Sequence, residues 1–407
     1  MMQQTRPDTD PCLSRRQILL AMMGTAFQLS GCGGGEQVAG ISTGGTGSFT
    51  VGPVTGFGSV IVNGIRYDDS QAQLVRLDDP DMPADAALKL GMVVTVQGSA
   101  VSGNAALGTA TATADRIHYR SEWRGPVESI DLGKSTFSLL GQTVRVSAAT
   151  VFEGEAITRL GELSTGLQAE VYGYLDPATA SLQATRVELS VVQPPSYLVS
   201  GRLVNSSVGT EFSIGNLPVR LGPNVTATAA EGSLVRAWLS PSPAAGRWTV
   251  LRLAADEARL GELEVDEDDE AEIEGSVTAW RSATSFSVNG IPVDASVVPG
   301  IATLGLQLGS VLEVSGTINR GVVVASEVKV KRREEVEVRE FELHGQVEQL
   351  DSVARTFRTR GYVFHYDDAT GFDLGGAGWA NGLQVEVKAI QQDGRLYATK
   401  VESDDDD

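Results

Sequence analysis

Five stretches of this 407-residue chain share one pattern, and the repetition limits the fold more than any other feature. Each stretch has two runs of alternating apolar and polar residues around a glycine-containing turn: SVIVNGIRYD from Ser59, TFSLLGQTVRVS from Thr136, EFSIGNLPVRLG from Glu211, SFSVNGIPVDAS from Ser285 and TFRTRGYVFHYD from Thr356. The Asn-Gly pairs in the first and fourth stretches favour β-hairpins, because a type I′ turn needs positive φ at both central positions. Such alternation places one face of each strand in a core and the other in water.

Two sets of glycines accompany the hairpins. One glycine opens each copy before a short strand: Gly52, Gly125, Gly201, Gly275 and Gly345. The other ends a short turn, which we expect to be helical, before a later strand: Gly91, Gly166, Gly232, Gly309 and Gly382. The copies therefore repeat every 70 to 76 residues, which is longer than a propeller blade of about 40 to 50. The element order predicts an all-β fold, a tandem array of five small OB-like, Greek-key β-barrels.

The segments between the copies predict the domain boundaries. The β repeats, numbered 1 to 5 here, are residues 50–120, 121–192, 197–257, 272–332 and 341–403. A glycine-rich tether precedes them at residues 32–49, an acidic linker lies at 258–271, and an acidic tail ends the chain at 404–407. Because the joining segments are rich in charge or proline, they predict beads on a partly flexible string.

Residues 1–31 are a predicted signal peptide. Arg15 and Arg16 precede an apolar run that is too short to span a hydrocarbon core of about 30 Å. Leu29-Ser30-Gly31-Cys32 resembles a bacterial lipobox, which implies that Cys32 is acylated and anchors the protein in a lipid bilayer. Residues 14–19 resemble the twin-arginine export motif. A buried helix opening the fold is the alternative, and the flanking residues fit it poorly.

These features predict a lipid-anchored protein of the bacterial cell envelope. Gly33 after the cysteine favours the periplasmic face of the outer membrane or the cell surface, although the inner membrane stays open. The copies, above all VTGFGSVIVNGIRYDDSQAQ with LKLGMVVTVQG, resemble the bacterial family catalogued as domain of unknown function 5666. That resemblance spans nearly the whole mature chain and is best in repeats 1, 2 and 4. It implies a fold and no activity.

Charge and cysteine content exclude several functions. A net charge of −20 repels phosphate backbones, so we expect no nucleic-acid partner. Cys12 lies in the leader and Cys32 would carry lipid, which leaves no thiol for a disulfide, a zinc site or an iron–sulfur cluster. The chain has no nucleophile elbow, dinucleotide fingerprint or P-loop.

The remaining candidate residues favour structural roles. Three histidines without metal-ligand spacing are interpreted as strand residues, with a metal ligand or general base as the alternative: His118, His344 and His365. Paired acids after two hairpins fit turns better than calcium or acid–base sites: Asp68-Asp69 and Asp367-Asp368. Acidic runs at 266–270 and 404–407 are typical of solvated linkers. Three tryptophans fit barrel ends better than sugar stacking: Trp123, Trp280 and Trp379.

We therefore predict no catalytic, cofactor-binding or metal-binding residue, and three functions stay open. The first is a non-enzymatic envelope scaffold or binding module for a protein or polysaccharide partner, favoured because the repeated residues are core residues. The second is carbohydrate binding through barrel faces, which requires exposed aromatic residues at matching positions. The third is an enzyme with its site in repeat 3 or 5, which requires a cleft with several convergent acids and a shifted pKa.

Overall fold

The computed structural model describes residues 47–78, 87–153, 157–205, 210–226, 229–256, 266–332, 335 and 338–404. The predicted signal peptide, with Arg15, Arg16 and Cys32, lies outside the described residues, as do most of the acidic linker and the end of the tail. Of the described residues, 58% are in strands and 3% in helices, so the all-β prediction is confirmed. Among the described residues, no helix has the length and apolarity needed to cross a membrane.

The described part of repeat 1 shows how the strands close. It contains β1 (Ser48–Phe57), β2 (Val60–Val62), β3 (Ile65–Asp68), β4 (Gln73–Arg76), β5 (Val93–Gly98) and β6 (Ala110–Tyr119). Strand β1 pairs antiparallel with β2 and β5, β2 pairs antiparallel with β3, β3 pairs parallel with β6, and β6 pairs antiparallel with β5. These pairings return to β1 and form a small closed barrel.

The other repeats pair their strands in the same order. Repeat 2 contains β7 (Trp123–Asp131), β8 (Thr136–Leu139), β9 (Gln142–Arg145), β10 (Val151–Glu153), β11 (Gln168–Asp176) and β12 (Ser181–Ser190). Repeat 3 contains β13 (Tyr197–Val204), β14 (Glu211–Ile214), β15 (Leu217–Leu221), β16 (Leu234–Leu239) and β17 (Trp248–Ala255). Repeat 4 contains β18 (Glu270–Ser282), β19 (Ser285–Val288), β20 (Ile291–Asp294), β21 (Val311–Asn319) and β22 (Val322–Val330).

Repeat 5 divides the first strand of the barrel in two. It contains β23 (Glu340–Gln346), β24 (Glu348–Asp351), β25 (Thr356–Thr359), β26 (Tyr362–His365), β27 (Gly371–Asp373), β28 (Gln384–Gln392) and β29 (Arg395–Ser403). Here β23 pairs with β28, while β24 pairs with β25. Three short 3₁₀ helices lie in the described loops: Ala105–Leu107, Leu160–Glu162 and Ile301–Thr303.

The second set of glycines closes a turn in each repeat. Their φ angles lie between 81° and 90°, in the left-handed region that favours glycine: Gly91, Gly166, Gly232, Gly309 and Gly382. Each amide donates a hydrogen bond of 2.8–2.9 Å to the carbonyl two residues after the opening glycine: Val54, Val127, Leu203, Val277 and Val347. The segment before each glycine is a hydrogen-bonded turn and not the helix that we expected.

A β-bulge interrupts the pairing of the last two long strands in each repeat. The register shifts between Gln97 and Gly98 in repeat 1, and at the matching positions of the other repeats. Glycine is needed at three bulges, because an added Cβ would lie 2.0–2.2 Å from a carbonyl oxygen of the partner strand: Gly98, Gly173 and Gly316. Bulges bend and twist strands, and this curvature allows such short sheets to close.

The expected beads on a string are wrong, because the repeats pack into one compact unit. Strand β1 pairs in parallel with β18 of repeat 4 and with β23 of repeat 5, and β7 pairs with β13. Repeats 1, 4 and 5 thus form one described sheet of 18 strands, and repeats 2 and 3 form another of 11. Phe49 and Val51 of β1 lie in the core of repeat 4. A domain of this size, folded alone, buries a smaller fraction of its surface than a larger domain does. Cores shared between repeats increase the surface that each repeat buries.

Candidate functional site

The paired acids after the hairpins act as turn caps. Asp68 accepts the amide hydrogen of Ser70 at 3.0 Å, and Asp367 accepts that of Ala369 at 2.8 Å. The hydrogen bond from Ser70 lowers the pKa of Asp68, which is fully exposed. Both pairs therefore have the geometry of turns, as their sequence positions suggested.

The three tryptophans lie in different surroundings. Trp123 is fully buried, and its Nε1 donates to the carbonyl of Ser200 in repeat 3 at 2.8 Å. Trp379 packs against Phe357 and two further aromatic rings at one end of barrel 5. Trp280 is 38% exposed and stacks on Phe286. Trp280 is thus the most exposed of the three, while Trp379 is partly buried.

Two of the three histidines stand apart from other chemistry-bearing groups. His118 is buried in β6, where burial, followed by the charge of Arg116, lowers its pKa to about 4. Its Nδ1 has no hydrogen-bond partner within the described residues. His365 lies against Tyr397, with ring centroids 5.3 Å apart, and burial lowers its pKa. Within the part of the chain that the structure describes, neither residue belongs to a group of acids that could form a metal site.

A groove of about 1360 Å³ lies among repeats 2, 4 and 5. One wall comes from repeat 2, including the loop between β7 and β8, strand β9 and the ends of β11 and β12. The other walls come from repeats 4 and 5. Most polar lining groups are hydroxyls and amides, and the exposed apolar residues Leu132 and Val338 stand at 63% and 46% exposure. Arg145 also lines the groove and makes no ion pair with a described residue.

An ionic contact at the groove joins repeats 2 and 4 to the segment before repeat 5. The hydroxyl of Tyr174 donates to Oε1 of Glu274 at 2.5 Å, and Nη2 of Arg339 donates to the same oxygen at 2.7 Å. Lys331 lies 3.5 Å from the other carboxylate oxygen. Burial alone would raise the pKa of Glu274, but Arg339 and Lys331 outweigh it and lower that pKa to about 2. The carboxylate is therefore ionised and holds repeat 2, repeat 4 and the segment before repeat 5 together.

A second cluster surrounds His344 in repeat 5. Glu342 and His344 lie two residues apart on β23, and Glu386 on β28 is directly opposite His344. The Nε2 atom of His344 is 3.1 Å from Glu342 Oε1 and 3.9 Å from Glu386 Oε2. Its Nδ1 is 2.8 Å from Oδ2 of Asp404. These side chains are partly buried, each 17–19% exposed.

Cations from two strands approach the same cluster. Arg66 of repeat 1 places Nη1 2.5 Å from Nε2 of His344 and forms an ion pair with Glu342. Lys388 lies 3.2 Å from Glu386. Burial would lower the pKa of His344, but the carboxylates of Glu342 and Asp404 outweigh it and raise that pKa. The cluster, defined as Arg66, Glu342, His344, Glu386 and Asp404, is called the His344 cluster below.

Sequence reasoning missed this cluster and treated His344 as an isolated strand residue. One signal was present in the sequence, because Glu342 and His344 are two residues apart and therefore share one face of a strand. The register that places Glu386 opposite His344, and the return of Asp404 from the predicted solvated tail, could not be read from spacing. The convergent acids required by the enzyme hypothesis therefore do occur in repeat 5.

Comparison with known families identifies the repeat type. A family described as Domain of unknown function (DUF5666) matches residues 124–188, 274–329 and 344–402. These three repeats resemble that family. The predicted resemblance is confirmed for repeats 2, 4 and 5, whereas the DUF5666 matches leave out repeat 1, where we expected one of the best fits. No curated protein matches the chain.

Proposed function

We propose that this chain is a membrane-tethered, non-enzymatic lipoprotein of the bacterial envelope. In this proposal the twin-arginine signal peptide exports it and acylated Cys32 anchors it. Its five OB-like repeats form a binding or scaffold module for an envelope protein or polymer. The observation that carries the proposal is the groove built jointly by repeats 2, 4 and 5. A binding surface that needs three repeats gives the shared packing a function beyond stability.

The strand order supports an OB-type assignment of each repeat. OB folds bind oligomers with strands 2 and 3 and with the loops between strands 1 and 2 and strands 4 and 5. In repeat 2 the first loop is residues 132–135, and the second is residues 177–180. The first loop, strand β9 and the two residues that flank the second loop, Asp176 and Ser181, line the groove. The groove thus coincides with the surface that this fold uses for ligands.

The lining chemistry fits an extended polymer. Hydroxyl and amide groups supply hydrogen bonds in both directions, and Leu132 and Val338 supply apolar contact at the rim. The lining carries charges of both signs, so the groove does not require a strongly charged ligand. An uncharged polysaccharide or an extended segment of protein meets these conditions.

Photocrosslinking in the native host tests this proposal. A diazirine amino acid at position 132, inside the groove, should capture one envelope protein or glycan reproducibly. The same amino acid at position 353 is the control, because Val353 is 94% exposed and lies outside the groove. Equal capture from both positions would contradict the groove as the binding surface, and no capture from position 132 would contradict a binding module.

The anchor is tested separately with Cys32→Ser. We expect this variant to leave the membrane fraction, because one residue carries all the acyl chains. Continued attachment of the variant to membranes would sink the lipoprotein proposal without affecting the groove.

Carbohydrate binding is the second candidate, favoured by the hydroxyl- and amide-rich groove. Soluble Cys32→Ser protein titrated with envelope oligosaccharides should bind, and Arg145→Ala should weaken binding. Trp280→Ala is the control for binding through an exposed aromatic ring on repeat 4. Loss of binding in Trp280→Ala but not in Arg145→Ala would move the carbohydrate site away from the groove.

A further inference from the structure

Three groups of metal-ligand type converge in the His344 cluster. One carboxylate oxygen each from Glu342 and Glu386 and a ring nitrogen of His344 lie within 4.8 Å of one another. All three side chains project from adjacent strands of one sheet, where paired residues hold their spacing. The site is far in sequence from the groove-facing loops of repeat 2.

Asp404 orients the imidazole. Its carboxylate is 2.8 Å from Nδ1, so the neutral ring carries its proton on Nδ1 and turns the lone pair of Nε2 toward the two glutamates. Metal-binding histidines usually donate their second ring nitrogen to a carboxylate or carbonyl in this way. The side chain of Asp404 thus supplies the support that such a ligand needs.

Arg66 already places a positive charge among these groups. Its Nη1 is 2.5 Å from Nε2 of His344, which must therefore accept, while Glu342 at 3.1 Å from Nε2 can also only accept. Nε2 cannot accept a hydrogen bond from Arg66 and donate one to Glu342 at the same time. The Arg66 guanidinium therefore lies between Nε2 and Glu342, with no proton shared between those two groups. The Arg66 side chain is 25% exposed, and a pair at such a site contributes little, so it can turn into solvent.

We propose that Glu342, His344 and Glu386 bind one divalent transition-metal ion, which takes the place of the Arg66 guanidinium. One imidazole with two carboxylates suits Zn²⁺ and similar ions, whereas Ca²⁺ and Mg²⁺ favour sets of oxygen ligands. The net charge of −20 raises the local cation concentration. The ligands belong to repeat 5, whereas Arg66 belongs to repeat 1. Binding of the ion therefore removes a contact between repeats 1 and 5 and replaces it with contacts within repeat 5.

Calorimetric titration of the soluble full-length Cys32→Ser protein with Zn²⁺ tests the proposal. Excess Mg²⁺ in the buffer occupies weak sites on the acidic surface. We expect one Zn²⁺ per chain, a loss of at least about tenfold in affinity for His344→Gln, and a loss of about 10- to 100-fold for Asp404→Asn. Arg66→Gln should bind Zn²⁺ more tightly, because the competing cation is gone.

His365→Gln is the matched control, because His365 lies in the same repeat and outside the cluster. Its Zn²⁺ affinity should equal that of the parent. Equal binding by the parent and His344→Gln would show binding of Zn²⁺ to surface acids only and overturn the proposal. Folded parent protein that binds no Zn²⁺ would also overturn it and make Arg66 a permanent partner. Neither result bears on the groove.

Discussion

Two of the clusters of arginine and carboxylate that join repeats in this protein differ in burial and charge balance. The junction network links repeats 1, 2 and 3 and comprises four arginines and four acids: Arg76, Asp78, Arg120, Glu122, Arg124, Glu170, Arg236 and Asp256. Its side chains are at most 18% exposed, and Asp78 is completely buried. The His344 cluster is more open at Arg66 and carries three carboxylates against one arginine and one histidine.

The difference shows when a charged cluster is structural and when it can exchange its cation. In the junction network, Arg120 contacts both oxygens of Asp256, at 2.5 and 3.1 Å, and also Glu122. Burial alone would lower the pKa of Arg120, but the charges of Asp256 and Glu122 outweigh it and raise that pKa. Removing one partner there leaves a buried charge with fewer partners, which is strongly destabilising. In the His344 cluster the side chains are 17–25% exposed, so we expect water to reach a group that loses its partner.

The largest expected effect is that of Arg120→Gln on the junction network. The substitution removes the guanidinium that contacts both Asp256 and Glu122 in a buried network, so we expect a loss of about 3–5 kcal/mol in the free energy of unfolding. Urea denaturation measures this loss. The control is Arg247→Gln, whose ion pair with Glu211 is exposed, and which should change stability by less than about 1 kcal/mol. Similar small losses for both variants would break the comparison.

Glu274→Gln should have the next largest effect, and it depends on pH. The pKa of Glu274 falls from its ordinary 4.5 to about 2 on folding, because Arg339 and Lys331 outweigh burial. Because folding lowers this pKa, the ionised carboxylate stabilises the folded protein at pH values above the pKa of the unfolded state. About 3 kcal/mol of this stabilisation is present at pH 7, and it is lost as the pH falls from 4.5 toward 2. The variant should be less stable at neutral pH and should lose less stability across that window.

Chemical denaturation at pH 7 and at several values between 5 and 2 checks the Glu274 prediction. Glu327→Gln serves as the exposed control on β22, since its side chain is 56% exposed. If Glu274→Gln and the parent lost stability in parallel with falling pH, the carboxylate would not be the group that titrates.

Arg66→Gln should have the smallest effect on stability. Its partners remain partly exposed, so the free energy of unfolding should fall by about 0–1 kcal/mol without added metal. Urea denaturation in a chelating buffer measures this quantity. A loss as large as that of Arg120→Gln would mean that Arg66 is an essential structural cation, and the contrast between the two clusters would disappear.

Much of the local structure was readable from the sequence. Alternation around Asn63-Gly64 and Asn289-Gly290 predicted hairpins, and both pairs have positive φ in tight turns. The glycines predicted to end a turn before each later strand do so, with positive φ. The segments preceding them are not helical. Each is a single short hydrogen-bonded turn that leads directly into a strand.

The candidate sites were less readable, because they depend on contacts between distant residues. The charged run before repeat 5, residues 331–340, read as a solvated strand or linker. Arg339 near its end is nevertheless largely buried against Glu274 at the groove. Asp404 read as a solvated tail, yet it holds His344. Charge runs predict exposure only on average, and a single member can pair with a buried partner.

The sequence by itself determined the all-β class, the period of the repeats and the order of strands within them. Those features follow from steric and hydrogen-bonding rules that act over a few residues. The tertiary structure decided which repeats pair, where the groove lies and which charges meet. Arg66 and His344 are 278 residues apart in sequence, and only the parallel pairing of β1 with β23 brings their strands together. Several edges and registers would satisfy the same local pattern, so the packing of whole repeats selects among them.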